Sequence, residues 1–324
     1  MPRAVIWALI LLCTVAAVTL WRATARLEAA MKAHPPEGRF IEVSAFDDHP
    51  VHVVELGEAS APPVVLIHGA SGNTRDMTFD IAGALAADYR VLVFDRPGLG
   101  YTPALAPSDV TISDQAALLQ AAATQLGAPR PVVMGQSFGG AIGLAWAVEH
   151  PDNIAALVNV AGAAYPWQGR IDPFYRALQT PVLGHVMAWL IAGWVPLDYV
   201  RGEIEGVFTP NEMPEGYADY IAPRLIIDPS RQIPNAQQRV SLREELRALA
   251  PRYPDIRIPV EILHGAADMT VGLSIHSAPL AEAVPTATLT TLPGIGHMPH
   301  HAARDDVIAA IHRASRRAGL RPGE

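Results

Sequence analysis

The sequence predicts an α/β fold: a doubly wound, largely parallel sheet that carries an inserted helical block and is preceded by one N-terminal apolar helix. Three observations predict it. Short apolar runs of strand length alternate with longer helical stretches along most of the chain. The alternation breaks once, from about residue 164 to 253, where the sequence is proline-spaced and helical, with tryptophans at 167, 189 and 194. The stretch Val5 to Trp21, VIWALILLCTVAAVTLW, contains no charge.

A chain of 324 residues holds one large α/β domain with an insertion, or two smaller domains. A net charge of -8 offers no basic face for nucleic acid. The single cysteine, Cys13, excludes an internal disulfide framework and any cysteine-rich metal site.

About 17 apolar residues from Val5 span roughly 25 Å as a helix, within reach of the hydrocarbon thickness for a tilted span. Trp7 and Trp21 sit where interfacial aromatics belong. A single-pass N-terminal membrane anchor is the expectation. Its side is open, because Arg3 competes with Arg22, Arg26 and Lys32. The competing reading is a signal peptide cleaved at Ala23-Thr24-Ala25, leaving an exported protein. Against it, the run is long for a signal core and Arg22 lies inside the would-be cleavage region. Residues 22–38 read as a linker.

Phe40–Val43 and Val51–Leu56 predict an opening hairpin around Asp47-Asp48-His49-Pro50. Pro63–Ile67 and Val91–Phe94 are apolar enough to be strands covered on both faces, with a helix over 75–87 between them. A helix over about 111–126 leads to the strand Pro131–Met134, and Ala141–Val148 reads as a buried helix. Ile154–Val160 is the next strand. After the helical block, Val260–Leu263, a helix near 274–284, the strand Ala287–Leu292 and a closing helix from about Ala303 to Ala318 complete the pattern. The chain divides into an anchor and linker (1–34), a first part of the sheet domain (35–163), a helical cap (164–254) and a second part (255–324).

The chemistry centres on Gly135-Gln136-Ser137-Phe138-Gly139-Gly140, a G-x-S-x-G between a strand and a helix. A serine at the tip of so sharp a turn needs neighbours without Cβ atoms, which Gly135 and Gly139 provide. A serine hydroxyl also needs a base, and the base an orienting acid. Asp268 follows the strand 260–263 and His297 the strand 287–292, at the strand ends where open sheets place functional groups. Backbone amides of Ala70, after His68-Gly69, and of Phe138 are the expected oxyanion donors. Asp95 reads as a loop clamp and His264 as packing beneath the acid loop. His300 and His301 read as surface residues at a helix start, with no companion ligands at useful spacing, so no metal site is expected.

Together, His68-Gly69, Asp95-Arg96-Pro97-Gly98-Leu99-Gly100, the Ser137 motif, His264-Gly265-Ala266-Ala267-Asp268 and Gly296-His297-Met298-Pro299 resemble the α/β-hydrolase superfamily. The resemblance covers the chain from about residue 40, cap excepted. It implies a mostly parallel eight-stranded sheet, a helical cap after the sixth strand, and no cofactor. Members with aspartate at the turn are dehalogenases and epoxide hydrolases, and Ser137 argues against both. Gln136 stands where lipases and peptidases often carry histidine, which leaves a narrower assignment open.

The expected function is serine-dependent hydrolysis of carboxylic esters through an acyl-enzyme, with Ser137, His297 and Asp268 as the triad. The anchor and the apolar stretch 182–197 point to a lipophilic or lipid-like small-molecule ester, with the membrane as partner through the N-terminal helix. The same residues also serve C–C bond hydrolysis of vinylogous diketones or peroxyacid formation. A third class is a non-catalytic, membrane-tethered accessory protein.

Overall fold

A computed structural model describes residues 2–105 and 110–321; Met1 and Glu324, which end the outermost predicted ranges, lie outside them. The described residues form an eight-stranded sheet in the order β1-β2-β4-β3-β5-β6-β7-β8. The strands are β1 (Arg39–Val43), β2 (His49–Leu56), β3 (Pro63–Ile67), β4 (Arg90–Phe94), β5 (Val132–Gln136), β6 (Ala156–Val160), β7 (Val260–Gly265) and β8 (Ala287–Leu292). β2 runs antiparallel to both β1 and β4, and every other pairing is parallel.

Strand alternation builds a core on each face. β3 sends Val65 and Ile67 to the face covered by helices Ile112–Gln125 and Phe138–Glu149, and Val64 and Leu66 to the other. That second face is covered by Met77, Ile81 and Leu85 and by the helix Arg304–Arg317. The latter is amphipathic, burying Val307, Ala310, Ile311 and Ala314 at helical spacing.

Four sequence expectations need adjusting. The helix over 75–87 is two, Thr74–Thr78 and Ile81–Leu85, because Asp80 (φ -149°) leaves the helical region between them. The closing helix begins earlier, as Pro299–Ala302, and restarts at Arg304 after Ala303 takes φ -140°. β5 and β7 run past their apolar residues, to Gln136 and Gly265, because ladder pairing continues there (Gly135 with Asn159, Gly265 with Leu292). Residues 22–33 are not a linker. The N-terminal helix is continuous from Arg3 to Ala33, since Leu27 and Ala30 pack against Ala222, Leu225 and Tyr101.

Between β6 and β7 the chain forms helices Pro173–Leu178, Pro181–Trp194, Leu197–Phe208, Tyr217–Tyr220, Pro223–Ile226 and Pro229–Leu249. Pro181–Trp194 buries only its small residues, Gly184, Ala188, Ala192 and Gly193. Val182 (78% exposed), Leu183, Val186 and Leu190 face outward. The N-terminal helix lies against it. Arg22 and Arg26 both donate to the Gly193 carbonyl, Trp194 Nε1 donates to Thr19 Oγ1 at 2.9 Å, and Arg22 stacks on the Trp194 ring.

Candidate active site

Ser137 occupies the turn between β5 and the helix Phe138–Glu149 with φ 53° and ψ -115°, a conformation non-glycine residues rarely adopt. The flanking glycines are sterically required. A Cβ on Gly135 would sit 2.1 Å from the Gly139 carbonyl oxygen, and one on Gly139 would sit 2.3 Å from that of Ile67. The strain is held by backbone bonds from the Ser137 N–H to Val160 O and from Gly140 N–H to Ser137 O, both 3.0 Å.

The three residues singled out in sequence come together. His297 Nε2 lies 3.0 Å from Ser137 Oγ, and His297 Nδ1 lies 2.7 Å from Asp268 Oδ2. Asp268 Oδ1 accepts the N–H groups of Thr270 and Val271 at 2.8 and 2.9 Å. Burial alone would raise the Asp268 pKa, but the hydrogen bonds from His264 and His297 outweigh it, and the carboxyl is held well below the usual carboxylate range. A fixed carboxylate on Nδ1 leaves Nε2 free to accept the serine proton. His264 lies beneath the acid loop, with Nδ1 2.6 Å from Ser277 Oγ and Nε2 2.7 Å from Val271 O.

Phe138 is the first residue of its helix, so its N–H is among those a helix start leaves without an intrahelical acceptor. Ala70 follows β3 in the turn beside it, and a Cβ on Gly69 would lie 3.2 Å from Ser137 Cβ. One residue ties both together. Arg96 is fully buried; its Nη1 donates to Gly69 O at 2.9 Å, and its guanidinium lies 3.9 Å over the Phe138 ring. Gly69 O belongs to the same peptide unit as Ala70 N–H, so fixing the carbonyl fixes the direction of the amide. The remaining guanidinium donors go to Gln115 and Gln238. Burial, and secondarily the Arg239 charge, lowers the Arg96 pKa to about 9, which leaves it charged at neutral pH. His68, driven by burial and the Arg96 charge to a pKa of about 4, stays neutral and accepts the Arg96 N–H on Nε2 at 3.1 Å.

Sequence reasoning missed several supports. Gln136 donates to His297 O at 3.0 Å, so the residue standing where lipases and peptidases often carry histidine braces the histidine loop. Asn211, Asn235 and Gln238, all from the helical block, bond to Gly296 N–H, Ser71 and Arg96 respectively. Asp95 accepts from Thr74 N–H, Tyr101 N–H and His52, tying a helix start and a loop to β2. His300 and His301 are not surface residues. Both side chains are buried against Asp76, an acidic companion 224 residues before His300, which no local spacing could reveal.

The alpha/beta hydrolase fold family model matches residues 62–303. RutD of Pseudomonas syringae pv. syringae (strain B728a), provisionally named a carbamate hydrolase, is 29% identical over 259 residues, covering 77% of this chain and 91% of that protein. Among solved structures, an esterase from Exiguobacterium antarcticum superposes with a TM-score of 0.69 at 21% identity, over 86% of this chain and 99% of that one. A bacterial membrane phospholipase A superposes with a TM-score of 0.63 at 20% identity over 100% of both chains, N-terminal helix included.

Proposed function

The chain belongs to the α/β-hydrolase fold family, and from that premise we propose that it is a serine hydrolase cleaving carboxylic esters through an acyl-enzyme. The observation that carries this reading is the unbroken contact from Ser137 through His297 to Asp268, at 3.0 and 2.7 Å. Ser137 Oγ attacks the ester carbonyl while His297 Nε2 takes its proton. The carbonyl electrons collect on oxygen, facing the Ala70 and Phe138 amides. The imidazolium, stabilised by Asp268, returns the proton to the departing alcohol, and water repeats the sequence on the acyl-enzyme.

Three features support a lipophilic ester and a membrane-anchored enzyme whose residues 164–254 cap the site. The helix Arg3–Ala33 includes an 18-residue window with mean hydropathy 2.4, and its 31 residues span about 46 Å, longer than the hydrocarbon layer of about 30 Å. Its later turns pack on the rest of the chain, burying Thr19, Ala23 and Ala30; cleavage after Ala25 would discard the Thr19 and Arg22 contacts with Trp194 and favours retention over removal. The adjoining cap helix exposes Val182, Leu183 and Val186 to the outside rather than to the sheet.

The test is fluorophosphonate labelling of membrane and soluble fractions, with Ser137→Ala as control, followed by a p-nitrophenyl ester chain-length series. Wild-type-only labelling in the membrane fraction is expected, with the fastest turnover on medium or long chains. Esterase turnover that survives Ser137→Ala would sink the mechanism.

A further inference from the structure

One helical turn beyond His297, side chains from distant parts of the chain converge in the interior. Asp76 comes from the helix Thr74–Thr78, and His300 and His301 from Pro299–Ala302. Nε2 of His300 lies 3.1 Å, and Nε2 of His301 3.0 Å, from the same oxygen, Asp76 Oδ1. The hydroxyl of Tyr217, from the cap, donates to that oxygen at 2.6 Å. All four side chains are buried, and the rings of Phe79 and Phe208 close the cluster from the side.

The acid at the centre of this cluster meets two imidazoles and a phenol. Neighbouring cations point elsewhere: Arg75 reaches Glu37 and Pro35 O, and Arg304 reaches Asp80 and Asp305. A buried carboxylate is expected to be paired with positive charge. Two imidazole nitrogens and a carboxylate oxygen are the donor set of divalent first-row transition metals, zinc foremost. The three ligand atoms lie within 4.8 Å of one another. Around a four-coordinate zinc with bonds of about 2.0 Å, neighbouring donors stand about 3.3 Å apart, so opening the cluster by a few tenths of an ångström admits the ion.

We propose that Asp76, His300 and His301 form a structural site for a divalent transition-metal ion, with zinc the best fit. The site joins the segment behind Ala70 to the turn behind His297, and through Tyr217 to the cap. It takes no part in the acyl-transfer steps, so it stands or falls separately from the esterase reading. Among the described residues, the Nδ1 atoms of both histidines are buried without a partner. Tight metal sites give that nitrogen an acceptor, and its absence weakens binding about 10–100-fold, so the ion is exchangeable by chelators.

The test uses the full chain in detergent, free of any affinity tag and stripped with chelator, titrated with Co2+ and with Zn2+. One Co2+ per chain is expected, with the intense visible absorption of four- or five-coordination. Zn2+ at a hundredfold excess over its Kd should raise the melting temperature by about 5 °C. Asp76→Asn and His301→Gln should lose both signals, while Ser137→Ala keeps them. Wild type that binds no Co2+ and shows no Zn2+-dependent melting shift overturns the proposal and leaves a hydrogen-bonded clasp. So does a six-coordinate spectrum, or unchanged binding in both variants. Should both variants fail to fold, the wild-type stoichiometry and spectrum decide.

Discussion

The central strands and the helical block between β6 and β7 are held by different balances of apolar burial and polar contact. In β3 to β7, every Val, Leu, Ile and Met is fully buried, and the helices on both faces seal against them. The cap instead leaves Val182 and Leu183 more than half exposed on one side. On the other, Leu242, Leu246 and Leu249 join the main apolar core, and at the seam beside Ser137 the block adds directional polar contacts: Asn211 to the His297 loop, Asn235 to Ser71, Gln238 to Arg96, Tyr217 to Asp76. Apolar burial is large but non-directional, so it sets the sheet without placing anything to a fraction of an ångström. Hydrogen bonds contribute little net stability each but fix direction. The proposed catalytic groups lie on the seam, where direction matters.

That contrast can be broken at the seam without breaking the sheet. Ser137→Ala should lower kcat by about 10⁴-fold or more with unchanged far-ultraviolet circular dichroism, since it removes the nucleophile and no packing. Asp268→Asn should cost about 10³–10⁴-fold by leaving the imidazole in the wrong tautomer; an ester-hydrolysis assay checks both. Arg96→Met should cost about 10²-fold in kcat with KM little changed, because it loosens the donors for the oxyanion rather than the substrate. Arg96→Lys should fail to rescue it, since one ammonium cannot hold Gly69, Gln115 and Gln238 together. Asn235→Ala should lower stability by about 1–3 kcal/mol in chemical denaturation, leaving the sheet's cooperative transition intact.

Acid sharpens the comparison further. His276 Nδ1 accepts the N–H groups of Ala164 and Tyr165, at the start of the cap, both at 3.1 Å. Burial and the nearby His264 lower its pKa from 6.5 to about 4. A histidine whose folded pKa is depressed leaves stability untouched above the unfolded value and costs stability as pH falls toward the folded one. Stability should therefore decline between about pH 6.5 and pH 4, by about 3 kcal/mol for this residue. His276→Asn should flatten the slope, read by thermal melts across pH. An unchanged slope would place the acid lability elsewhere, with His68 the first alternative.

What the sequence made legible follows the same division. Apolar runs such as Pro63–Ile67 and Ala287–Leu292 match β3 and β8 residue for residue, because burial on a sheet writes a continuous local pattern. Ser137, Asp268 and His297 were readable because each follows a strand, and strand ends are where an open sheet gathers its chemistry. Asp76 with His300 and His301, Arg96 over Phe138, and Asn211 at Gly296 were not readable. Each is a contact between segments whose separation carries no periodicity, made by polar residues that locally look like ordinary loop and helix surface. The helical continuation past Trp21 was missed for the opposite reason. Its Ala- and Arg-rich turns are good helix formers, but the neighbour that orders them lies far away in the chain.

The continuity of the helix from Arg3 to Ala33 has a geometric consequence. If its first part lies in a bilayer, as proposed, its last dozen residues form a rigid stalk of about 18 Å rather than a loose tether. A flexible chain would let the catalytic domain sweep a hemisphere and meet soluble molecules from any direction. A stalk clamped to Gly193 and Trp194 would remove that freedom and hold Ser137 at one height and one facing. In that arrangement molecules dissolved in the lipid would reach the domain by diffusion in two dimensions, and the orientation of the whole domain would become a property of the tilt of a single helix.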